Sequence, residues 1–495
     1  MKGSKIILFL ILIIFLGGFL RFYSIGKQSF WLDESATALA IKKYSLSDTF
    51  YNTIKLGQIL PDYYNSNLDL PPYYFILKIW SNIFGINEAS LRSFSAIFGV
   101  FSIIAVYFLS KELFDKRTGL VASLIFSLNV VMIEYSQEAR LYNMLIFIVL
   151  LSAYFLIKSL KTSENKYIGA FIIFNIIGIY THYPFLFFVI FELFFVFFAL
   201  MKEYTKKRRL KVKKAHVAAL SLVVFYIPLV YRILKPKLVA SHHLGSFSIS
   251  NILKLFLQLN TWIYPSESLR DKINSLQFNL FSFSEWFLVV SVVLLAILLF
   301  VFVFRNFIKI KNIDDNRLFL MFWLVIPSIV AFSALYKSIM TFGSLKHFIF
   351  VVPPYLILAA NGLSKLKGKK FMAFVFITAI LSIAPIYSYY SNPSKPQYRE
   401  AVRFLESNAD NELIIVNLPS VVVPFNYYSD KLVNVNGANN LEEAERLSSD
   451  KNFLWLVLST KYADSDGKIK PYFDKNYKIH ESKFFYGVSL YHYTK

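Results

Sequence analysis

The sequence predicts a polytopic α-helical membrane protein of about eleven transmembrane helices with a small C-terminal α/β domain. Three observations predict it. The 495 residues are 56% hydrophobic, include 52 Phe, and are only 17% charged, an apolar excess over an average soluble domain. Repeated apolar runs approach the roughly 20 residues that cross a bilayer. Beyond about residue 390 the composition turns polar and mixes both charges.

The predicted spans lie at 6–25, 91–110, 118–134, 139–157, 167–181, 183–201, 215–234, 286–304, 318–336, 346–363 and 371–389. The first run, Ile6 to Tyr23, follows Lys2 and Lys5 but lacks a small-residue cleavage site, so it reads as a retained span. Alternate loops then separate by charge. One set holds Lys2 and Lys5; Lys111, Lys116 and Arg117; Lys158, Lys161 and Lys166; the basic stretch from Lys202 to Lys214; Arg305 to Arg317; and Lys365 to Lys370. The opposite short turns hold only Arg140, Lys337 and Lys346. The positive-inside rule places the first set, and the N-terminus, in the cytoplasm of a plasma-membrane protein. The segment from Pro71 to Trp80 is apolar but short. A crossing there would reverse every later loop, so it reads as an interfacial helix with Pro72 in its first turn.

The domains predicted are a transmembrane catalytic part, 1–390, whose outer loop 26–90 carries short helices, and an extracytoplasmic α/β domain, 391–495. In the outer loop, Asp33 to Tyr44 and Ser47 to Leu56 read as helices, the second capped by Ser47. A further outer segment, 235–285, carries His242, His243 and Trp262. In the tail, Tyr398 to Ser407 and Leu441 to Leu447 read as helices, and Leu413 to Val416 and Phe453 to Leu458 as buried strands. Roughly 100 residues suffice for a modest core.

Composition also excludes chemistry. Without cysteine there is no thiol catalysis, disulfide or Cys-based metal site. No Walker motif or glycine-rich dinucleotide fingerprint is present. The net charge of +22 would suggest nucleic acid in a soluble protein. Here the cations sit in loops between spans, where topology and anionic headgroups account for them, and no nucleic-acid partner is expected.

Four outer-face constellations carry candidate chemistry. Asp33-Glu34 follows the first span directly. Acids there also suit the first turn of a helix, so the pair alone leaves function and capping open. Glu138, in Tyr135-Ser136-Gln137-Glu138-Ala139-Arg140-Leu141-Tyr142, occupies a tight turn at the same face. Two such carboxylates suit a divalent cation or a divided acid and base role, while local pairing of Glu138 with Arg140 is the structural alternative. His182 lies in a third short turn, and Lys346-His347 opens the tenth span. Lys346, like Arg92 at the start of the second span, suits a phosphate or a snorkelling interfacial cation. Glu192 lies within an apolar run, too deep for the outer site, and reads as a polar contact inside the bundle.

These motifs resemble the polytopic GT-C glycosyltransferases, especially the family 39-like group of protein O-mannosyltransferases and aminoarabinose transferases. The resemblance rests on Trp31-Leu32-Asp33-Glu34, Pro71-Pro72-Tyr73-Tyr74, the stretch from Ala89 to Gly99, Gln137 to Tyr142, and Lys346-His347-Phe348, in that order. It implies a sugar donor carried on polyprenyl or dolichyl phosphate and used at the extracytoplasmic face. It implies Asp33 as catalytic base and Glu138 as the second acid, with Glu34 a further candidate for metal binding or capping. Arg92, Arg140, His182, Lys346 and His347 are the candidate substrate contacts. Some relatives use a divalent metal such as Mg, Mn or Zn, which here would fall to Asp33 and Glu138; others work without one. A basic residue before the proline pair in some relatives corresponds to Leu70, and the usual Arg-Tyr of the late span to Lys346 or His347.

The leading expectation is therefore transfer of a sugar from the lipid phosphate to an acceptor hydroxyl on protein, lipid or glycan, with inversion. A lipid-linked glycan polymerase or ligase is the alternative. A transporter fits less well, because intramembrane charge is confined to Glu192.

Overall fold

The computed structural model describes residues 3–49, 72–207, 214–227, 269, 272–273, 275, 277–307, 313–336, 346, 348–459 and 467–495. Leu70, His242, His243, Trp262, His347 and the expected helix beyond residue 49 lie outside them. The chain divides into two compact units. One comprises Met1–Tyr23, Ser95–Gln137 and Leu141–Asn392; the other comprises Ser24–Phe94, Glu138–Arg140 and Pro393–Lys495.

The first unit is a helical bundle. Helix α1 (Gly3–Phe22) opens it. Helices follow at Lys116–Leu128, Val130–Ser136, Tyr142–Thr162, Asn165–Thr181, Phe185–Lys207, Phe283–Phe304, Asp315–Tyr336, Val352–Ser364 and Gly368–Ser391. The helix Glu88–Leu113 is shared between the units. Among the described residues, seven helices are long and apolar enough to cross a bilayer, or eight if one bent pair is a single span. Shorter apolar helices stand where two other spans are expected, Lys214–Ile227 and Ile349–Ser364. Large apolar side chains such as Phe15, Phe300 and Met372 remain exposed on this unit, as a lipid-facing surface requires.

The span expected at 118–134 is not continuous. It bends by 64° between Lys116–Leu128 and Val130–Ser136. Asn129 is the cause: its backbone is extended, and its side chain accepts the Met132 N–H as the cap of the second piece. The break frees carbonyls at the end of the first piece. The buried Arg21 donates to those of Phe126 and Ser127, and to Gly17 within α1. Gln137, at the end of the second piece, donates to the carbonyls of Arg21 and Tyr23 and accepts from the Tyr389 hydroxyl. The bend and its hydrogen bonds therefore fix the end of the second piece within the first unit.

Glu192 is a bundle contact, as expected. Ser152 donates to its carboxylate at 2.6 Å, Asn175 donates to Ser152, and Tyr226 donates to Asn175. In the lipid interior such a chain satisfies polar groups that water cannot reach.

The second unit holds α2 (Leu32–Lys43), the helix Pro72–Phe84 and the C-terminal sheet. With 13 residues, Pro72–Phe84 is about 20 Å long, too short to cross a hydrocarbon core of about 30 Å. After α2, a new helical turn begins at residue 46. Its cap is Ser45 rather than Ser47: the Ser45 hydroxyl accepts the Asp48 N–H, and the Asp48 carboxylate accepts the Ser45 N–H.

The sheet has strand order β2-β1-β3-β5-β4, with β1 Leu413–Val416, β2 Val435–Gly437, β3 Phe453–Leu458, β4 Lys478–Phe485 and β5 Val488–Thr494. β1 pairs in parallel with β2 and β3; β5 pairs antiparallel with β3 and β4. β1 reads Leu-Ile-Ile-Val because both faces are covered. Ile414 and Val416 pack with the helix Tyr398–Asn408, while Leu413 and Ile415 pack with Ala444, Ile469 and Phe473 on the other face. β4 is an exposed edge whose Lys478, Glu481 and Lys483 discourage pairing with another chain.

The β4–β5 turn has a structural duty. Gly487 sits at φ +71°, and a Cβ there would lie 3.0 Å from Pro396. Beside it, the Gln397 N–H donates to the Tyr486 carbonyl, and the Tyr486 N–H donates to the Gln397 side chain. The hairpin tip thus pins the chain at Pro396-Gln397. Gly487→Val is expected to lower stability by roughly 1–2 kcal/mol through the left-handed backbone alone, with further loss from the Pro396 contact. Thermal unfolding of the full chain in detergent checks this against an exposed β4 substitution such as Lys483→Val, expected to be near neutral.

Candidate active site

The second unit gathers residues from four distant stretches around the start of α2. Asp33 and Glu34 occupy its first turn, where the helix macrodipole favours anions. Both are buried, Asp33 at 4% exposure and Glu34 at 0%. A lone buried carboxylate would be costly to keep ionised. Glu34 is not alone.

Arg92 reaches Glu34 in a bidentate fork, Nε to Oε1 and Nη2 to Oε2, each at 2.8 Å. The Ala139 N–H donates to Oε1 at 2.8 Å. Lys395 donates to Oε2 at 3.1 Å. The Trp31 N–H also points to Oε2, at 3.5 Å, the reach-back half of a capping box. Five donors thus converge on a group with about four lone-pair sites. Burial pushes the Glu34 carboxyl up, but Arg92 and Lys395 outweigh it and hold the pKa at about 2. Burial lowers the Lys395 ammonium despite the opposing pull of Glu34. A carboxylate with so low a pKa is a weak base.

Arg92 is equally committed. Its remaining N–H groups donate to the carbonyls of Ile25, Gln28 and Ser29 at 2.7–3.0 Å, so all five guanidinium donors are spent inside the protein. Its guanidinium also lies over the Phe30 ring, 5.1 Å from the centroid. The loop 25–30 is therefore wrapped around Arg92.

The turn Glu138–Arg140 docks on α2 at two points. Ala139 meets Glu34 as above. Arg140 Nη1 donates to the Thr37 hydroxyl at 3.2 Å, and that hydroxyl donates to the Asp33 carbonyl at 3.0 Å. Glu138 is 6% exposed, with Oε1 3.9 Å from Lys395 Nζ. The turn thus brings Glu138 into the neighbourhood of the α2 acids, while Arg140 donates to Thr37.

Lys395 is the residue that sequence reading missed. It stands in Asn392-Pro393-Ser394-Lys395-Pro396, between the last apolar run and the tail, where one more loop cation carries no signal. Its backbone is held on the loop 25–30: the Gln28 side-chain oxygen accepts the N–H groups of Ser394 and Lys395, and Ser29 donates to the Pro396 carbonyl. Also missed is Glu88, which accepts from Arg399 at 2.9 Å and from the Tyr428 hydroxyl at 2.8 Å. That hydroxyl in turn accepts the Phe30 N–H. An open cleft of about 280 Å³ beside this group is lined by Lys42, Glu88, Arg399, Arg403, Tyr427 and Tyr428 among others.

His182 and Lys346 are not among the residues of the second unit. His182 belongs to the first unit, buried with its ring against Tyr142 and Tyr183. Lys346 belongs to the first unit and is half-buried.

The arrangement does not fit a divalent metal at Asp33 and Glu138. Among the described residues no group of three or more His, Asp or Glu side chains forms a metal-binding set. The Lys395 ammonium already lies against Glu138, and Glu34 has no lone pair to offer.

A bundle of apolar helices, an acid pair just after the first of them and a compact α/β tail define the class. Comparison with known proteins agrees. The family described as dolichyl-phosphate-mannose-protein mannosyltransferase matches residues 69–231. An uncharacterized protein of Aquifex aeolicus is 30% identical over 158 residues, 31% of this chain and 29% of that protein. The putative mannosyltransferase YkcB of Bacillus subtilis is 25% identical over 179 residues, 36% of this chain and 24% of that protein. The match thus spans under a third of the length of these curated relatives. Among solved structures, ArnT of Cupriavidus metallidurans bound to undecaprenyl phosphate aligns over 99% of this chain and 98% of its own, with a TM-score of 0.57 at 12% identity. The oligosaccharyltransferase AglB of Archaeoglobus fulgidus, in complex with an inhibitory peptide and a dolichol-phosphate, aligns over 99% of this chain and 74% of its own, at a TM-score of 0.51 and 14% identity. The chain thus shares the fold of these membrane-embedded glycosyltransferases, and about a third of it matches the mannosyltransferase family model.

Replacing Glu34 by Gln removes the anion but leaves Arg92 and Lys395 buried. A loss of about 3–5 kcal/mol is expected, as for a broken buried ion pair. The folded Glu34 carboxyl lies below its ordinary 4.5, so its stabilisation is complete above pH 4.5 and disappears as pH falls through about 2. The stability gap between wild type and Glu34→Gln should narrow over that window, read from unfolding midpoints in acid.

Proposed function

We propose that this protein transfers a sugar from a polyprenyl- or dolichyl-phosphate donor to an acceptor hydroxyl at the extracytoplasmic face of the plasma membrane. The observation that carries the proposal is the position of Asp33, on the first turn of a helix whose neighbouring acid is locked by Arg92, Lys395 and Ala139. Asp33 serves as base. It takes the acceptor proton as the acceptor oxygen bonds to the anomeric carbon. The bond from that carbon to the phosphate oxygen breaks, and the lipid phosphate leaves with the electron pair. In-line displacement inverts the anomeric centre. A phosphate is already a competent leaving group, so positioning and charge supply most of the remaining catalysis.

Glu138 is the second acid, and Arg140, His182, Lys346 and His347 are the candidate substrate contacts. Glu34 and Arg92 hold the site rather than react, because their hydrogen-bonding capacity is spent on each other and on the backbone. Residues 1–390 form the catalytic membrane part, and 391–495 an extracytoplasmic domain. Support for the donor comes from the lipid phosphates bound by ArnT and AglB. Support for the face comes from the cation-rich alternate loops, which place the N-terminus in the cytoplasm. The acceptor is a hydroxyl of protein, lipid or glycan.

Asp33→Asn should lower transfer from a polyprenyl-phosphate monosaccharide by about 10²–10⁴-fold, the usual contribution of a positioned base, with membrane insertion and unfolding midpoint retained. Wild-type turnover by that variant would remove Asp33 as base. Turnover by the wild type of lipid-linked oligosaccharide alone would favour a glycan ligase instead.

A further inference from the structure

We infer that the Lys395 ammonium takes the place of a divalent cation among the site carboxylates, so that transfer proceeds without a metal ion. The inference rests on the glycosyltransferase reading for its reaction, but its structural part stands on the side chains alone.

Lys395 Nζ lies 3.1 Å from Glu34 Oε2 and 3.9 Å from Glu138 Oε1, at 5% side-chain exposure. It bridges two carboxylates from separate stretches of the sequence, as a metal ion would. Charge is balanced without a metal: the buried carboxylates Asp33, Glu34 and Glu138 are matched by the buried cations Arg92, Arg140 and Lys395. A divalent ion would need oxygen ligands at about 2.0–2.6 Å. Both Glu34 oxygens are filled by N–H donors, and Lys395 stands on the Glu138 side. An incoming divalent ion would therefore meet a buried ammonium and a buried guanidinium in a medium that screens charge poorly.

The lysine is also placed rigidly. Gln28 binds the backbone N–H groups of Ser394 and Lys395, Ser29 holds the Pro396 carbonyl, and the tip at Gly487 packs on Pro396. A long, flexible side chain loses much rotamer entropy when fixed. Here the backbone clamps and the two carboxylates offset that loss. Lys395 is in this view a positioning residue: it orients the Glu138 carboxylate beside the α2 acids and needs no exchangeable ion to do so.

The test uses the full-length protein purified in detergent and stripped with EDTA. Metal analysis should find less than stoichiometric Mg, Mn and Zn, and adding each ion should leave the unfolding midpoint unchanged. The stripped wild type should transfer sugar from a polyprenyl-phosphate donor as fast as the untreated protein. Lys395→Met should lower kcat at least tenfold, and Lys395→Arg should recover part of that loss. EDTA-sensitive transfer restored by a divalent ion, a stoichiometric bound metal, or full activity of Lys395→Met would each overturn the inference. If Lys395→Met fails to fold, the metal content and EDTA response of the wild type decide. If the wild type transfers no lipid-linked sugar at all, the glycosyltransferase reading fails. The metal content and ion-dependent midpoints still decide whether Lys395 replaces a cation.

Discussion

The second unit depends on one buried anion. Removing the Glu34 carboxylate from water costs several kcal/mol, and the cost is offset only if every lone pair finds a donor. The donors come from Arg92, Ala139 and Lys395, with Trp31 at longer range. Glu34 and Lys395 are 361 residues apart in sequence. One carboxylate therefore fastens the segment after the first helix, the start of the second span, the Glu138 turn and the entry to the tail. A buried charge used in this way specifies an arrangement more than it stabilises one, since alternatives would leave it unpaired.

The same interaction separates the two adjacent acids. Neighbouring residues on a helix point about 100° apart. Glu34 turns to the cations and is locked with a depressed pKa; Asp33 occupies the same buried turn. An acid that must accept a proton needs to keep a lone pair for it. The lock on Glu34 supplies a fixed frame for the turn that carries Asp33. Arg92 follows the same logic: a guanidinium with five spent donors shapes the loop 25–30 but has nothing left for a phosphate.

Much of this is legible in the sequence alone. Helix α2 begins one residue from its expected start, because acids in a first turn and the alanine-rich stretch beyond it are local signals. β1 and β3 fall on their expected residues because short runs of Ile, Leu and Val between polar turns have few other uses. The β4–β5 hairpin was not read. β4 is a polar, exposed edge with a bulge between Ile479 and Glu481, and it lacks the alternation that marks a half-buried strand. The bend at Asn129 was also hidden, since an asparagine within an apolar run leaves hydropathy almost unchanged.

The sequence by itself determined the membrane class, the helical spans, the acid pair after the first of them and the turn bearing Glu138. Each is written in neighbouring residues, by apolar length, loop charge or first-turn chemistry. Only the tertiary structure decided which acid is locked and which cation locks it. Lys395 is one of 53 Lys and Arg residues, with no local pattern to set it apart. Its role comes from a hairpin tip and a glutamine that hold it beside a carboxylate near the opposite end of the chain. Burial and pairing are properties of that arrangement, and a linear reading of charges does not contain them.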